Sequence, residues 1–269
     1  MGIRSVAAKG ILQKSKLPGA NYVINPYVGC VHGCVYCYAR FMKRFTNHPE
    51  PWGTFLDVKA DAARILEKQL ASRRKPLREE VFFCSVTDPY QPPERKYRQT
   101  RSILEVLLKH NIPISILTKS DLVLRDKDLL RQFHDATVGL SFSTVDDKMA
   151  RILEPRASPP SRRIRALKEL RDAGIDTWVF LSPFLPGVSD LDRMVTALDG
   201  SVESFGVEAI NTAGGNWTGV EKALAKMDPD LPGKCRTLAG RSAFWNGLKK
   251  QAEELARRHR MELTGFYQH

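Results

Sequence analysis

The sequence has no apolar run long enough to cross a bilayer, which takes about 20 residues, so no membrane-embedded role is expected. Its N-terminal stretch, MGIRSVAAKGILQKSKLPG, is basic with only short apolar pieces and lacks a secretory h-region. Internal repeats and low-complexity segments are also missing, which excludes solenoids and compositionally biased tails. Cysteines number only five, and three of them crowd between positions 30 and 37. That is too few, and too close together, for the disulfide framework of a secreted domain. The absences point to a cytoplasmic protein whose 269 residues can bury one large core.

Positive charge is what the chain has in excess: 42 Lys and Arg against 30 Asp and Glu, a net charge of +12. Basic surfaces gain affinity for phosphate backbones by releasing counterions, so nucleic acid is a candidate partner. Because the excess is spread along the chain, a simply solvated Lys/Arg-rich surface is the alternative.

Short apolar runs with β-branched and aromatic residues lie at 21–29, 80–85, 112–118, 137–143, 175–183 and 202–211, with a closing strand expected at 261–267. Between them run helical patterns: DVKADAARILEKQLASRR, YRQTRSILEVLLKH, DLLRQF, PPSRRIRALKELRDAG, LDRMVTAL and AFWNGLKKQAEELARRHR. Six alternating βα units argue for an α/β fold with a parallel sheet and helices outside it. A doubly wound open sheet and a partial or complete barrel both fit. In either, functional residues collect at the C-terminal strand ends. Five successive strands are followed there by polar segments: SVTDPYQPPE, TKS, SFSTVDD, SPFLPGVSD and NTAGGN.

The cysteine triplet Cys30, Cys34 and Cys37 sits in PYVGCVHGCVYCYAR with spacing C-x3-C-x2-C. Structural zinc wants four ligands, usually as two separated pairs, and no second C-x2-C or H-x3–5-H pair exists. A simple ferredoxin would carry a fourth cysteine at its cluster. Three isolated core thiols would not crowd into one Gly-containing loop. The remaining option is a [4Fe–4S] cluster held by three thiolates, with the fourth iron left open.

This spacing resembles the radical S-adenosylmethionine superfamily, whose fold is a six-unit partial β/α barrel. The resemblance implies that S-adenosylmethionine chelates the open iron, that one electron from the reduced cluster breaks its C5′–S bond, and that the resulting 5′-deoxyadenosyl radical abstracts a hydrogen atom. It also implies a partial (β/α)6 TIM-like barrel at residues 21–215, with an N-terminal extension at 1–20 and a C-terminal helical extension at 216–269. A reductant such as flavodoxin or ferredoxin would supply the electron. NPYVGCVHGCVYCYAR, TDPYQPPE, LTKSDLVLRD, EPRASPPSRR and SPFLPGVSD together are similar to the spore photoproduct lyase-like branch, often labelled DNA repair photolyases.

Carried over by position, the resemblance places Tyr36 beside adenine and Thr87 and Asp88 at the methionine amine. Lys119 and Ser120, with Ser141 or Ser143, match positions that contact the carboxylate and ribose. Glu154 and Arg163 fall on a recurrent Glu…Arg pair, for which a structural ion pair is the competing reading. Cys84 and Tyr90 are candidate catalytic residues, Cys84 as a hydrogen donor. Aligning the aspartate of the lyase's Cys-Thr-Ser-Asp pattern on Asp88, however, puts Ser85 at the donor position. In a strand, a one-residue slip would send Cys84 to the opposite face, into the core. Basic residues of the last helix (Lys249, Lys250, Arg257, Arg258, Arg260) favour a nucleic-acid substrate for lesion repair or base modification. Trp217, Phe244, Trp245 and Tyr267 are expected either to stack on a base or to fill the core. A small molecule or peptide substrate, and a non-catalytic iron–sulfur or zinc protein, are the alternatives. Cys235 is read as a loop residue without a role.

Overall fold

The computed structural model describes residues 2–17, 19–213 and 216–268. In chain order the strands are β1 (Gly2–Val6), β2 (Leu12–Lys14), β3 (Tyr22–Ile24), β4 (Tyr27–Val28), β5 (Phe55–Lys59), β6 (Val81–Phe83), β7 (Ile114–Thr118), β8 (Ala136–Phe142), β9 (Asp176–Phe184), β10 (Ser204–Ala209) and β11 (Glu262–Tyr267). The main sheet has the order β11-β10-β9-β8-β7-β6-β3-β2. All its pairings are parallel except the β2–β3 edge. From β3 to β11 the order follows the sequence without reversing, so the sheet is wound in one direction. A doubly wound sheet would reverse at a switch point. The parallel strands thus follow the partial-barrel order, and the sheet stays open between β2 and β11.

Alternation decides what each strand face meets. Ile114, Ile116, Val138, Leu140, Val179, Leu181, Phe205 and Val207 are fully or nearly fully buried toward the helices. Burying each such side chain contributes about 1.5–3 kcal/mol relative to leaving it in water. The intervening residues, among them Phe82, Leu117, Ser141, Trp178 and Phe180, face the concave side and line a cavity. Helix Pro160–Asp172 ends at Ala173, and Gly174 follows in the left-handed region (φ 77°), a conformation that glycine adopts freely at a helix end.

Several expectations change. Asp57, Val58 and Lys59, taken as the start of a helix, belong to β5, which lies between β1 and β4 in a separate three-stranded sheet. The N-terminal segment therefore contributes strands to both sheets. Helix Asp147–Leu153 was not anticipated, Trp217–Ala225 and Leu231–Ala239 fall within the stretch expected to be a C-terminal helical extension, and DLLRQF keeps only a single turn, Lys127–Leu130. Gly214 and Gly215 of NTAGGN lie outside the described residues. Among the described residues, no helix is long and apolar enough to cross a membrane.

Candidate active site

Cys30, Cys34 and Cys37 all line one cavity of about 690 Å³ at the C-terminal strand ends. Their loop is held by side chains bonding to its backbone. Thr87 Oγ1 donates to the Gly29 carbonyl (2.5 Å), and Gln91 accepts from Val31 N (2.9 Å). Arg40 donates to the carbonyls of Cys34 (3.2 Å) and Val35 (2.6 Å), and Arg156 donates to those of Val31 and Gly53. Gly33 has φ +66°, and a Cβ there would lie 2.5 Å from Arg156 Nη2, so both conformation and space require glycine.

Burial pushes the Cys30 thiol up, with Asp88 adding to the effect, and burial with the Glu154 carboxylate takes Cys34 to about 12 against the pull of Lys119. Burial raises Cys37 as well, partly offset by a hydrogen bond from the Ala39 backbone. Three such thiols become thiolates together only against a strong local positive charge, and a metal centre supplies one. Among the described residues, no three His, Cys, Asp or Glu side chains converge tightly enough to hold a single metal ion. Three cysteines on one cavity wall are an all-thiolate donor set of the kind that iron–sulfur centres take.

Beside the loop, β6 stops at Phe83, so strict strand alternation no longer applies to the residues after it. Cys84 and Ser85 both line the cavity, and Cys84 is also buried in the main core cluster, where the sequence reading put it. Ser85 is fixed by Asn25, whose Oδ1 accepts from the Ser85 and Val86 amides (3.0 and 3.1 Å). Asp88 also lines the cavity but is heavily engaged. Its carboxylate accepts from Tyr90 N (2.8 Å), Thr118 Oγ1 (2.6 Å) and Lys119 N (2.9 Å), and His32 Nδ1 lies 3.4 Å away. Burial pushes Asp88 up, yet His32 and these donors outweigh it and hold the carboxyl below its ordinary value.

Lys119 and Ser141 meet in the adjoining wall: Lys119 Nζ donates to Ser141 Oγ (2.7 Å) and lies 5.6 Å from the Tyr36 ring centroid. Glu154 and Arg163 sit behind that wall and do not line the cavity. Both are buried; they pair with each other, Tyr36 Oη and Ser143 Oγ donate to Glu154, and Arg163 donates to the Ser141 carbonyl. Together they form a buried ion pair that positions Tyr36 and Ser141, which is the competing reading of this Glu…Arg pair.

Three further candidates also lie away from the cavity. Ser120 caps the 3₁₀ turn Asp121–Asp126 by accepting from Leu122 N (3.2 Å). Ser143 is bound to Glu154, and Tyr90 is fully buried in the core with Arg125 5.9 Å from its ring centroid. Trp217 and Trp245 are core residues and Phe244 packs against Trp245, whereas Tyr267 is 41% exposed and lines the cavity. Cys235 lies in helix Leu231–Ala239, fully buried, not in a loop. Arg40, Gln91 and Arg156 were missed, although CYAR, TDPYQPPE and EPRASPP already contained them.

Comparison with known proteins gives a match to the Radical SAM superfamily over residues 24–199. Uncharacterized protein MJ0683 of Methanocaldococcus jannaschii is 37% identical over 193 residues, covering 72% of this chain and 71% of that protein. Rv2578c of Mycobacterium tuberculosis is 30% identical over 247 residues, 86% of this chain and 72% of that protein. Among solved structures, spore photoproduct lyase complexed with dinucleoside spore photoproduct superposes with a TM-score of 0.70 at 16% identity, over 99% of this chain and 82% of that chain. At that identity the likeness is one of fold.

Proposed function

Because the chain belongs to the radical SAM superfamily and is therefore an enzyme of that chemistry, we propose that Cys30, Cys34 and Cys37 hold a [4Fe–4S] cluster and that the substrate is nucleic acid. When bound, the cluster supplies an electron to S-adenosylmethionine and so provides the hydrogen-abstracting chemistry of this superfamily. Tyr36 offers a ring face for adenine, while Lys119 and Ser141 offer a cation and a hydroxyl for the methionine carboxylate and ribose. Thr87 and Asp88 follow the neighbouring strand, and Asp88 offers a carboxylate for the methionine ammonium. Glu154 and Arg163 act through Tyr36 and Ser141, and Cys84 supplies an S–H within the cavity as hydrogen donor to the product. An external reductant, of the flavodoxin or ferredoxin type, delivers the electron.

What carries the nucleic-acid reading is the rim beside the cysteine loop. The 3₁₀ helix Tyr38–Phe45 begins directly after Cys37 and leaves Tyr38, Phe41 and Phe45 exposed. Arg44 lies 5.5 Å and 4.7 Å from the Phe41 and Phe45 ring centroids, with Lys43 beside it. Cations interleaved with open aromatic faces suit a single-stranded or unstacked polyanion. The structural relative bound to a dinucleoside agrees with this reading. By contrast, Arg257, Arg258 and Arg260 precede β11, which runs parallel to β10 and ends at the cavity with Tyr267. They lie at the other end of β11 from Tyr267, so the rim residues Lys43 and Arg44 carry the reading here.

The test is anaerobic reconstitution with iron and sulfide, followed by reductant and S-adenosylmethionine. Release of 5′-deoxyadenosine is expected from the cluster-loaded protein and none from Cys34→Ala; a loaded protein that releases none defeats the catalytic assignment. Failure to bind any oligonucleotide at low ionic strength would remove the nucleic-acid substrate and leave a small molecule or peptide.

A further inference from the structure

The cavity that the cysteine loop lines also carries three aromatic rings, each packed over a glycine. Trp178 and Phe180 stand on the concave face of β9, and Tyr267 ends β11. Gly139 of β8 pairs in register with Trp178, and Gly206 of β10 lies in register between Phe180 and Gly265. Each ring lies over one of these glycines. A Cβ on Gly139 would come within 2.4 Å of the Trp178 indole, and one on Gly206 within 3.2 Å of the Phe180 ring. On Gly265 it would meet the Tyr267 phenol at 2.5 Å. Neighbouring centroids are 6.4 Å apart for Trp178–Phe180 and 6.1 Å for Phe180–Tyr267.

Glycine inside a strand weakens it, and three around one row of rings need a reason. Here the missing side chains let the rings lie along the sheet and keep the space above them open. Rings that merely filled a barrel core would be fully buried. Instead Trp178 and Phe180 are half-buried, Tyr267 is 41% exposed, and all three line the cavity shared with the cysteine triplet.

We propose that Trp178, Phe180 and Tyr267 form a stacking platform that receives one unpaired nucleobase of the substrate inside the barrel, a reading that rests on the nucleic-acid substrate proposed above. A planar unsaturated ring matches flat apolar faces whatever its sequence identity, because every base has a π-face. Ser182 and Glu208, which are hydrogen-bonded to each other, add polar groups to the same cavity for the base edge. Base pairing and stacking in a duplex would block this contact, so the base must arrive from a single strand or be extruded.

The experiment uses the cluster-loaded protein and two fluorescent single-stranded oligomers of equal length, one of mixed bases and one abasic. The platform predicts tighter binding of the base-bearing oligomer. Phe180→Leu and Tyr267→Leu should each weaken that binding by about 5- to 150-fold, the range of a lost base–aromatic stack. Neither should change binding of the abasic oligomer, and Tyr267→Phe, which keeps the ring, should retain affinity. Iron content and melting temperature identify any misfolded variant; Tyr267 is at an exposed lip, so its pair of variants stands if Phe180→Leu fails to fold. Oligomers that bind wild type and the leucine variants equally overturn the platform and leave the nucleic-acid reading in place. If neither oligomer binds wild type at low ionic strength, both readings fall.

Discussion

Replacing Arg163 by Met tests whether the pair behind the Lys119–Ser141 wall is structural. Both members are sealed from solvent, with side-chain exposures of 0% for Arg163 and 1% for Glu154, so solvent does not screen their interaction. Removing one partner of a buried pair costs about 3–5 kcal/mol, because the other charge stays behind without compensation. Loss of the donor to the Ser141 carbonyl adds about 1 kcal/mol. Glu154→Gln should also destabilise, and the double variant should cost less than the sum by about 1–3 kcal/mol, since the two act as one unit.

The pH dependence has a definite sign. In the wild type, burial raises the Glu154 carboxyl, but Arg163, then Lys119 and the Tyr36 and Ser143 hydrogen bonds, bring it below the ordinary value of 4.5. A carboxyl lowered by folding contributes stability above its unfolded pKa and loses it as the pH falls through the folded one. In Arg163→Met the largest counter-charge is gone, so burial drives the carboxyl upward and the charged form becomes a liability at neutral pH. The deficit of the variant is therefore full near pH 7 and narrows as the pH falls toward 4.5 and below, where Glu154 takes a proton in the variant. Denaturant titrations of wild type, both single variants and the double variant at the two pH values measure this. A deficit below about 1 kcal/mol at pH 7 with additive singles would refute a coupled buried pair.

Other substitutions separate the parts of the site. Gly33→Ala forces a left-handed residue to carry a Cβ against Arg156; about 1–2 kcal/mol of backbone strain and a lower iron content after reconstitution are expected, read by melting and iron assay. Cys235→Ser buries a hydroxyl in an apolar cluster and should cost about 1–3 kcal/mol while iron content stays at the wild-type level. Loss of iron in that variant would contradict a purely structural Cys235. Neutralising Lys43 and Arg44 together should flatten the log–log salt dependence of single-strand binding by about 1.4, whereas neutralising Arg257 and Arg260 should leave the slope unchanged. Equal effects of the two pairs would contradict the placement of the substrate at the cavity rim.

What could be read from the sequence divides along locality. Cys30, Cys34 and Cys37 are legible because one short loop contains all three, and the parallel strands are legible because burial on both faces writes them as apolar runs. Asp57–Lys59 was misread because DVKADAA continues a helical charge pattern, while the strand's partners, Gly2–Val6 and Tyr27–Val28, come from remote stretches. Glu154 and Arg163 show the same limit at the site. The sequence offers them both as cofactor ligands and as an ion pair, and it does not record that Tyr36, Ser143 and the Ser141 carbonyl are their partners. Strand periodicity assigns Cys84 to the core, where it is buried, but β6 ends one residue before it and the residue also lines the cavity.

Gly139 marks the boundary between the two kinds of knowledge. Within TVGLSFS it reads only as a weak point in a strand, a known sign of close approach by something else. Its register with Trp178 supplies the missing partner, 39 residues further along, and turns a local defect into a seat for a ring. Gly206 and Gly265 follow the same logic with Phe180 and Tyr267, and none of the three glycines has a meaning until the sheet order is known. Chemistry held in one loop can therefore be inferred residue by residue. A wall assembled across β8, β9, β10 and β11 exists only in their register, which is why the cysteine loop was identifiable first and the row of rings over glycines was not.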